Sequence, residues 1–416
     1  MRDYLVLLRD NRGFRYIWLG SVVSQIGDWF NLIASASLIG RLSESGVAVS
    51  YLFLARFLPL FFFSPIAGIL ADRFDRRRIM IVTDLLRAVT VWGFVFVREP
   101  EQIWLFYGLT IVQFGLSAVF TPARSAIFAN VVDEKDLVVA NGLDSFTWST
   151  MLAVGSLLGG IVAKKYGEGM AFLVDGFTFW VSAWLIRQVT GTERPGRSDH
   201  QTEWFDIIGG VSYLWASSFL FGLALVKGGG ALIWGAINVL EVNFAEKVFP
   251  IGDGGATTLG IIYAISGLGT GLGPIIFGRW FGNERKGMLR AIGVGFVLIF
   301  VGIVFLSVAP NLTWFGVATA IRTIGSGVIW VFSAALLQMM VPDRFRGRVF
   351  AFEFLVLTLT QSLSIYWAGF AQDGLGWEVQ QVTLGMGGVG VVGCVVWLVF
   401  HWYQVSRPEL PHGLVK

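Results

Sequence analysis

The chain has 416 residues, of which 55% are hydrophobic and 14% charged, with a formal net charge of +3. A soluble domain carries about 25% charged residues. A chain this apolar, with a mean hydropathy of +0.68, cannot cover its surface with polar groups in water, so lipid is its solvent. The weak charge is spread through short loops and gives no sign of nucleic-acid binding, so no nucleic-acid partner is expected. A single cysteine, Cys394, excludes an intrachain disulfide or a cysteine-rich metal site. His200, His401 and His412 fall in predicted loops or the tail, so no haem, histidine metal site or histidine relay is expected in the membrane, and no cofactor is implied.

The amino terminus begins with a short basic amphipathic stretch. The first apolar run, Phe14 to Ile39, is about twice the length of a signal-peptide core and contains Asp28, so it reads as a membrane helix and not a cleaved signal. Runs able to cross about 30 Å of hydrocarbon lie at 14–39, 47–71, 79–97, 103–129, 139–163 and 170–190. Six more lie at 218–245, 256–281, 288–308, 312–340, 346–372 and 378–403. Between the sixth and seventh, Gly191 to Asp206 has a linker composition, and Trp204 to Ser217 reads as an interfacial helix. The expected organisation is an all-α polytopic protein: a six-span half over 1–190, a connector over 191–217, and a second six-span half over 218–416.

Charge sets the expected orientation. With both termini inside, the outer loops hold only Arg41, Arg98, Lys164, Lys165 and Lys247, and most other Lys and Arg fall on the cytoplasmic side, as the positive-inside rule requires. Sliding the sequence by 210 residues superposes the halves: Pro122 to Asp133 falls on Phe332 to Asp343, Gly68 on Gly278, Asp28 on Asn238 and Asn31 on Glu241. Such a repeat places a substrate path between the halves near the midplane.

An ionisable group at bilayer depth costs roughly 3 kcal/mol or more, so it normally has a partner and a purpose. The candidates are Asp28 and Asn31 in span one, Arg56 in span two, Glu241 in span seven, Arg322 in span ten and Glu353 in span eleven. Asp28 and Glu241 are the candidate proton-coupling carboxylates, since a carboxyl away from water exchanges a proton more readily near neutral pH. Arg56 is the expected partner of Asp28, either as a working pair or as a fixed lock between helices. Glu241 can equally be a residue of the outer mouth. Asp84, Arg87 and Arg124 are expected in an inner-gate network with Arg73 to Arg78, and Lys227 is expected to snorkel to the cytoplasmic surface.

The strongest motif is Gly68-Ile-Leu-Ala-Asp-Arg-Phe-Asp-Arg-Arg-Arg78. It resembles the major facilitator signature Gly-x-x-x-Asp-Arg/Lys-x-Gly-Arg/Lys-Arg/Lys, matching at Gly68, Asp72, Arg73, Arg76 and Arg77, with Asp75 in place of the second glycine. The resemblance implies a twelve-helix transporter with alternating access, in which Asp72 docks at the start of span eleven near Phe345 to Gly347. Ser24-Gln-Ile-Gly-Asp-Trp29, Asp84-Leu-Leu-Arg87, Asn141-Gly142 and Arg344-Phe-Arg-Gly-Arg348 resemble the bacterial branch of macrolide-efflux and enterobactin-exporter-like proteins. Gly155-Ser-Leu-Leu-Gly-Gly160 partly matches the Gly-Pro-x-x-Gly-Gly of drug/proton antiporters, with Ser156 at the proline position; plain helix packing explains it as well.

Taken together, these features imply a non-enzymatic, monomeric secondary exporter of an amphipathic small molecule, coupled to protons, in the bacterial cytoplasmic (inner) membrane. A lipid or lysophospholipid flippase of the same fold, using Arg56 and Arg322, and a non-transporting membrane scaffold remain alternatives. No Gly-Lys pair occurs, so there is no phosphate-binding P-loop, and Gly385-Met-Gly-Gly-Val-Gly390 lies inside an apolar span with no strand before it.

Overall fold

The computed structural model describes residues 2–43, 45–133, 136–189, 212–282 and 284–405; among the side chains of its helices, those at 2–3, 64–69, 71–73, 126, 129–130, 137–138, 141, 253, 343–344, 346–347 and 404–405 lie outside the description. Among the described residues every regular element is helical, because a backbone in hydrocarbon must satisfy its own hydrogen bonds within the segment.

A surface helix, Arg2–Asp10, precedes span one, Arg12–Leu42. Spans two to six are Gly46–Arg73, Arg76–Gly93, Ile103–Val131, Leu137–Tyr166 and Glu168–Ile186. Spans seven to twelve are Ser218–Asn243, Ala256–Phe281, Arg285–Ser307, Leu312–Met340, Asp343–Asp373 and Val379–Val405. All twelve are long and apolar enough to cross a membrane. Most of the expected connector and interfacial helix lies outside the described residues; Tyr213 at its end stacks on Phe345 of span eleven at 4.4 Å. His401 sits in the last turns of span twelve and not in a loop.

Short polar residues mark several helix starts. Asn11, Ser45, Ser217 and Asn311 each accept the backbone N–H of the third residue on, opening spans one, two, seven and ten. Asp75 does the same for span three, accepting from the amides of Arg77 and Arg78. The residue that departs from the signature glycine therefore has a structural task of its own.

The helices pair in a repeating pattern. Spans 1·6, 1·5, 2·4, 3·6 and 3·4 pack together, and six spans on so do 7·12, 7·11, 8·10, 9·12 and 9·10. The two sets meet mainly along spans 5·8 and 2·11. Small residues allow the approach. A Cβ on Gly160 would stand 2.8 Å from the Ala256 carbonyl, and one on Gly260 would stand 2.8 Å from that of Ser156. The span-five glycine motif is thus a packing seam, with Gly155 and Gly159 set against Trp29 and Phe30 of span one.

With twelve spans the two termini share one end of the bundle, called here the near end. The far end is closed by direct contact. Asp373, at the end of span eleven, accepts hydrogen bonds from the Gly46 amide (3.0 Å), the Val47 amide (3.1 Å) and the Ser45 hydroxyl, which together form the first turn of span two. Gly369 lies against Ser50 and Val47 beneath it. Close by, Ser37 donates to Glu168 at 3.1 Å, Arg41 pairs with Glu168 at 3.5 Å, and Gly254 rests on Ser37. Replacing Asp373 with Ala removes a cap across two helices. The expected loss is about 1 kcal/mol, read as a lower unfolding midpoint in detergent and as faster thiol labelling of Val47→Cys in a Cys394→Ser background.

Candidate functional site

Charged groups gather in the middle of the bundle in three places. The first lies among spans one, two, three and six. Arg87 points its guanidinium at Asp84, at 3.0 Å on the same helix, and at Asp28 of span one, at 3.6 Å. Its face lies 3.9 Å from the Phe179 ring centroid and 5.1 Å from that of Phe120, so aromatic faces replace water around the charge. Asp84 and Arg87 are buried, while about a third of the Asp28 side chain (33%) is exposed. Arg56 donates to Asn31 at 3.3 Å and stands over Phe114 at 4.4 Å. Asp175 of span six, fully buried, packs against Gly27, next to Asp28.

Two sequence expectations change here. The ion-pair partner of Asp28 is Arg87 and not Arg56, which engages the neighbouring Asn31 instead. Asp84 and Arg87 are also not close to the near-end loop. Asp84 is eight residues into span three, about 12 Å deep at 1.5 Å per residue, and it belongs to the buried cluster.

The second place joins spans seven and ten, where Arg322 donates to Glu241, both buried. The third joins spans seven and eleven, where Lys227 donates to Glu353 at 3.0 Å. Lys227 also stands 4.7 Å from the Trp330 ring and 5.9 Å from that of Phe350. Lys227 is therefore buried and paired and does not snorkel. It begins nine residues into its span, so its side chain would have to climb about 13 Å to reach the interface, and Glu353 is nearer.

Between the first two places runs an aromatic seam across the two helix sets. Trp29 of span one lies 6.0 Å from Trp148 of span five and 6.0 Å from Tyr263 of span eight. Tyr263 is buried and lies within electrostatic reach of Arg56 on one side and of Glu241 and Arg322 on the other.

Nearer the termini, Arg124 of span four pairs with Asp144 of span five and donates to Ser21 of span one at 2.8 Å. Arg77 donates to the carbonyls of Ile186 (3.3 Å) and Arg187 at the end of span six. The last carbonyls of a helix have no intrahelical donor and carry its negative end, so an arginine serves them well. Arg76 stands with Arg77 in the first turn of span three. The side chains at Gly68, Asp72 and Arg73, and most of the expected docking site at Phe345 to Gly347, lie outside the described residues. Sequence reasoning passed over Asp175, Asp144, Tyr263 and Asp373. For the first, the signal was present, since an acid inside an apolar run is the same sign that singled out Asp28. Among the described residues no group of three or more His, Cys, Asp or Glu side chains could hold a metal ion.

Breaking one partner of a buried ion pair costs roughly 3 to 5 kcal/mol, whereas removing both can be nearly neutral. Arg322→Met alone should therefore lower the unfolding midpoint sharply, and Glu241→Gln/Arg322→Met should recover most of it. A cycle with additive losses would show that the two do not act as a pair.

Comparison with known proteins agrees with this architecture. Bacillus amyloliquefaciens has a protein bearing the name bacilysin exporter BacE that is 26% identical over 343 residues, covering 81% of this chain and 83% of that one. Macrolide efflux protein A of Streptococcus pyogenes is 22% identical over 369 residues, covering 87% and 90%. The crystal structure of a bacterial homologue of the human lysosomal transporter Spinster, inward-facing and unoccupied, superposes with a TM-score of 0.73 at 13% identity over 96% of this chain and 99% of that one. Residues 17–365 match the family model of the Major Facilitator Superfamily, and the chain belongs to that family of membrane transporters.

Proposed function

We propose that this transporter is a proton-driven exporter of an amphipathic small molecule. The observation that supports it most is the cluster of Asp28, Asp84 and Asp175 around Arg87 and Arg56, held at mid-bundle against the aromatic seam that joins the two helix sets. Such a cluster can exchange a proton, and it lies where movement between the sets would be felt. Export is favoured by the names of relatives that align over most of the chain.

In this reading residues 1–190 and 218–416 are the two halves that rock about the path between them, joined by 191–217. The near end is cytoplasmic in an inner membrane, so the arrangement described, closed at the far end, is the inward-facing one. Asp28, partly exposed, is the port through which the cluster meets water. Glu241 and Arg322 form the corresponding charged wall of the other half. The seam of Trp29, Trp148 and Tyr263 offers aromatic faces to an apolar substrate.

Expression in a bacterial strain lacking its own efflux pumps should raise resistance several-fold to one or more amphipathic compounds, with erythromycin as the first probe. The gain should vanish with a protonophore and in Asp28→Asn at equal membrane abundance. Resistance that survives both treatments would sink the coupling. Transfer of lysophosphatidylethanolamine across vesicle membranes without any drug phenotype would favour the lipid reading instead.

A further inference from the structure

The first charge cluster does not balance. Three carboxylates, Asp28, Asp84 and Asp175, share two guanidinium groups. Arg87 is committed to Asp84 and Asp28, at 3.0 and 3.6 Å. Arg56 is committed to Asn31 at 3.3 Å and to the face of Phe114. Asp175 is left over: it is fully buried, and neither of its oxygens meets a hydrogen-bond donor.

Its surroundings explain why. On its own helix, the Thr178 hydroxyl donates to the Asp175 backbone carbonyl at 2.7 Å and so is not available to the carboxyl. From span one, Gly27 presents no side chain, and a Cβ there would overlap both Asp175 Oδ1 and Thr178 Oγ1. The Asn31 amide faces Asp175 without reaching hydrogen-bond geometry, and its own Nδ2 is unpartnered. Asp28 of span one and Arg87 of span three lie within electrostatic reach, as does Arg56 of span two. Asp84 lies behind Arg87 on span three. A carboxylate anion in this position would have only the Asn31 amide, outside hydrogen-bond geometry, to turn to and would leave one charge uncompensated. A carboxylic acid would leave two positive and two negative charges.

We propose that Asp175 is a proton-binding site of this transporter, holding its proton in the arrangement closed at the far end and giving it up as that end opens. The proposal rests on the proton-coupled reading above for its role in transport, though not for its chemistry. Binding forms one O–H bond at the carboxylate with a proton from water, and release breaks that bond and returns the proton to water. Once ionised, the carboxylate draws Arg56 from Asn31, and Arg56 lies within electrostatic reach of Tyr263 of the opposite helix set. A change of charge at Asp175 is thus placed to alter the contact between the two sets.

Two measurements test this without a known substrate. Infrared spectra of the purified protein in lipid at neutral pH should show the C=O stretch of a protonated, non-hydrogen-bonded carboxyl. That band should disappear in Asp175→Asn and shift in Asp175→Glu. A band that persists in Asp175→Asn, or no such band in the wild type, overturns the proposal. Secondly, thiol labelling of Val47→Cys at the far end should rise several-fold as pH is raised, because ionisation disfavours the closed arrangement. The rise should be lost when Asp175→Asn is added. A pH response that is unchanged by Asp175→Asn, or absent from the parent, also overturns it. Neither readout depends on export, so a failed resistance or protonophore assay would reject the exporter reading while leaving these two results to judge Asp175.

Discussion

A charge in hydrocarbon has no water to hold it, and that constraint organises the bundle. An isolated ionised side chain at mid-membrane costs roughly 3 kcal/mol or more. Most charges within the bundle accordingly come as bonds between helices: Asp28 to Arg87 joins spans one and three, part-buried Arg124 to Asp144 joins four and five, Glu241 to Arg322 joins seven and ten, and Lys227 to Glu353 joins seven and eleven. Apolar packing in lipid cannot select which faces meet, because lipid tails are as apolar as leucine. Glycine seams such as Gly160 against Gly260 set how closely helices approach. The charge pairs set which way each helix is turned.

The two helix sets repeat in architecture and differ in chemistry. In spans seven to twelve the central acids are matched one to one, Glu241 with Arg322 and Glu353 with Lys227. In spans one to six the acids outnumber the bases. A matched pair has nothing to gain from a proton, since neutralising one partner strands the other. An unmatched acid has every reason to take one. The unbalanced charge therefore lies with the first set, and the second is a charged but balanced wall. The aligned positions carry the same lesson: Asn31 accepts from Arg56 on the adjacent span, whereas its counterpart Glu241 accepts from Arg322 three spans on.

Span positions were legible because hydrocarbon thickness imposes a length on every apolar run. The structure moves the expected boundaries by only a few residues, as at 346–372 against Asp343–Asp373. The presence of mid-membrane charges was legible for the same reason, but their partners were not. Depth along a helix can be counted in sequence, while rotation about its axis cannot. Asp28 and Arg56 lie at similar depths, yet Asp28 pairs with Arg87 of span three while Arg56 engages Asn31 and the face of Phe114. Lys227 reads in sequence as a snorkelling lysine, because a lysine followed by three glycines in the cytoplasmic half of a span has the same local pattern. The position of Glu353, 126 residues away in sequence, decides the matter. Asp175 gains nothing from the repeat, because its counterpart 210 residues on is the uncharged Gly385, whereas helices one and seven carry polar groups at matching positions.

Spans two and eleven show how the same physics can work at both ends of the molecule. Neighbouring helices of opposite direction expose their positive, donor-rich starts at opposite ends. At the far end the start of span two is closed by Asp373 from the end of span eleven. At the near end the signature of residues 68–78 implies the converse contact, with Asp72 from the end of span two closing the start of span eleven. Each helix would then supply both a donor-rich start and a carboxylate-bearing end. Two rigid helices that rock about their middle cannot hold both contacts tightly at once, so making one loosens the other. An exchange of like for like would keep two such closed arrangements close in energy. That is what a carrier requires if a single proton is to tip the balance between them.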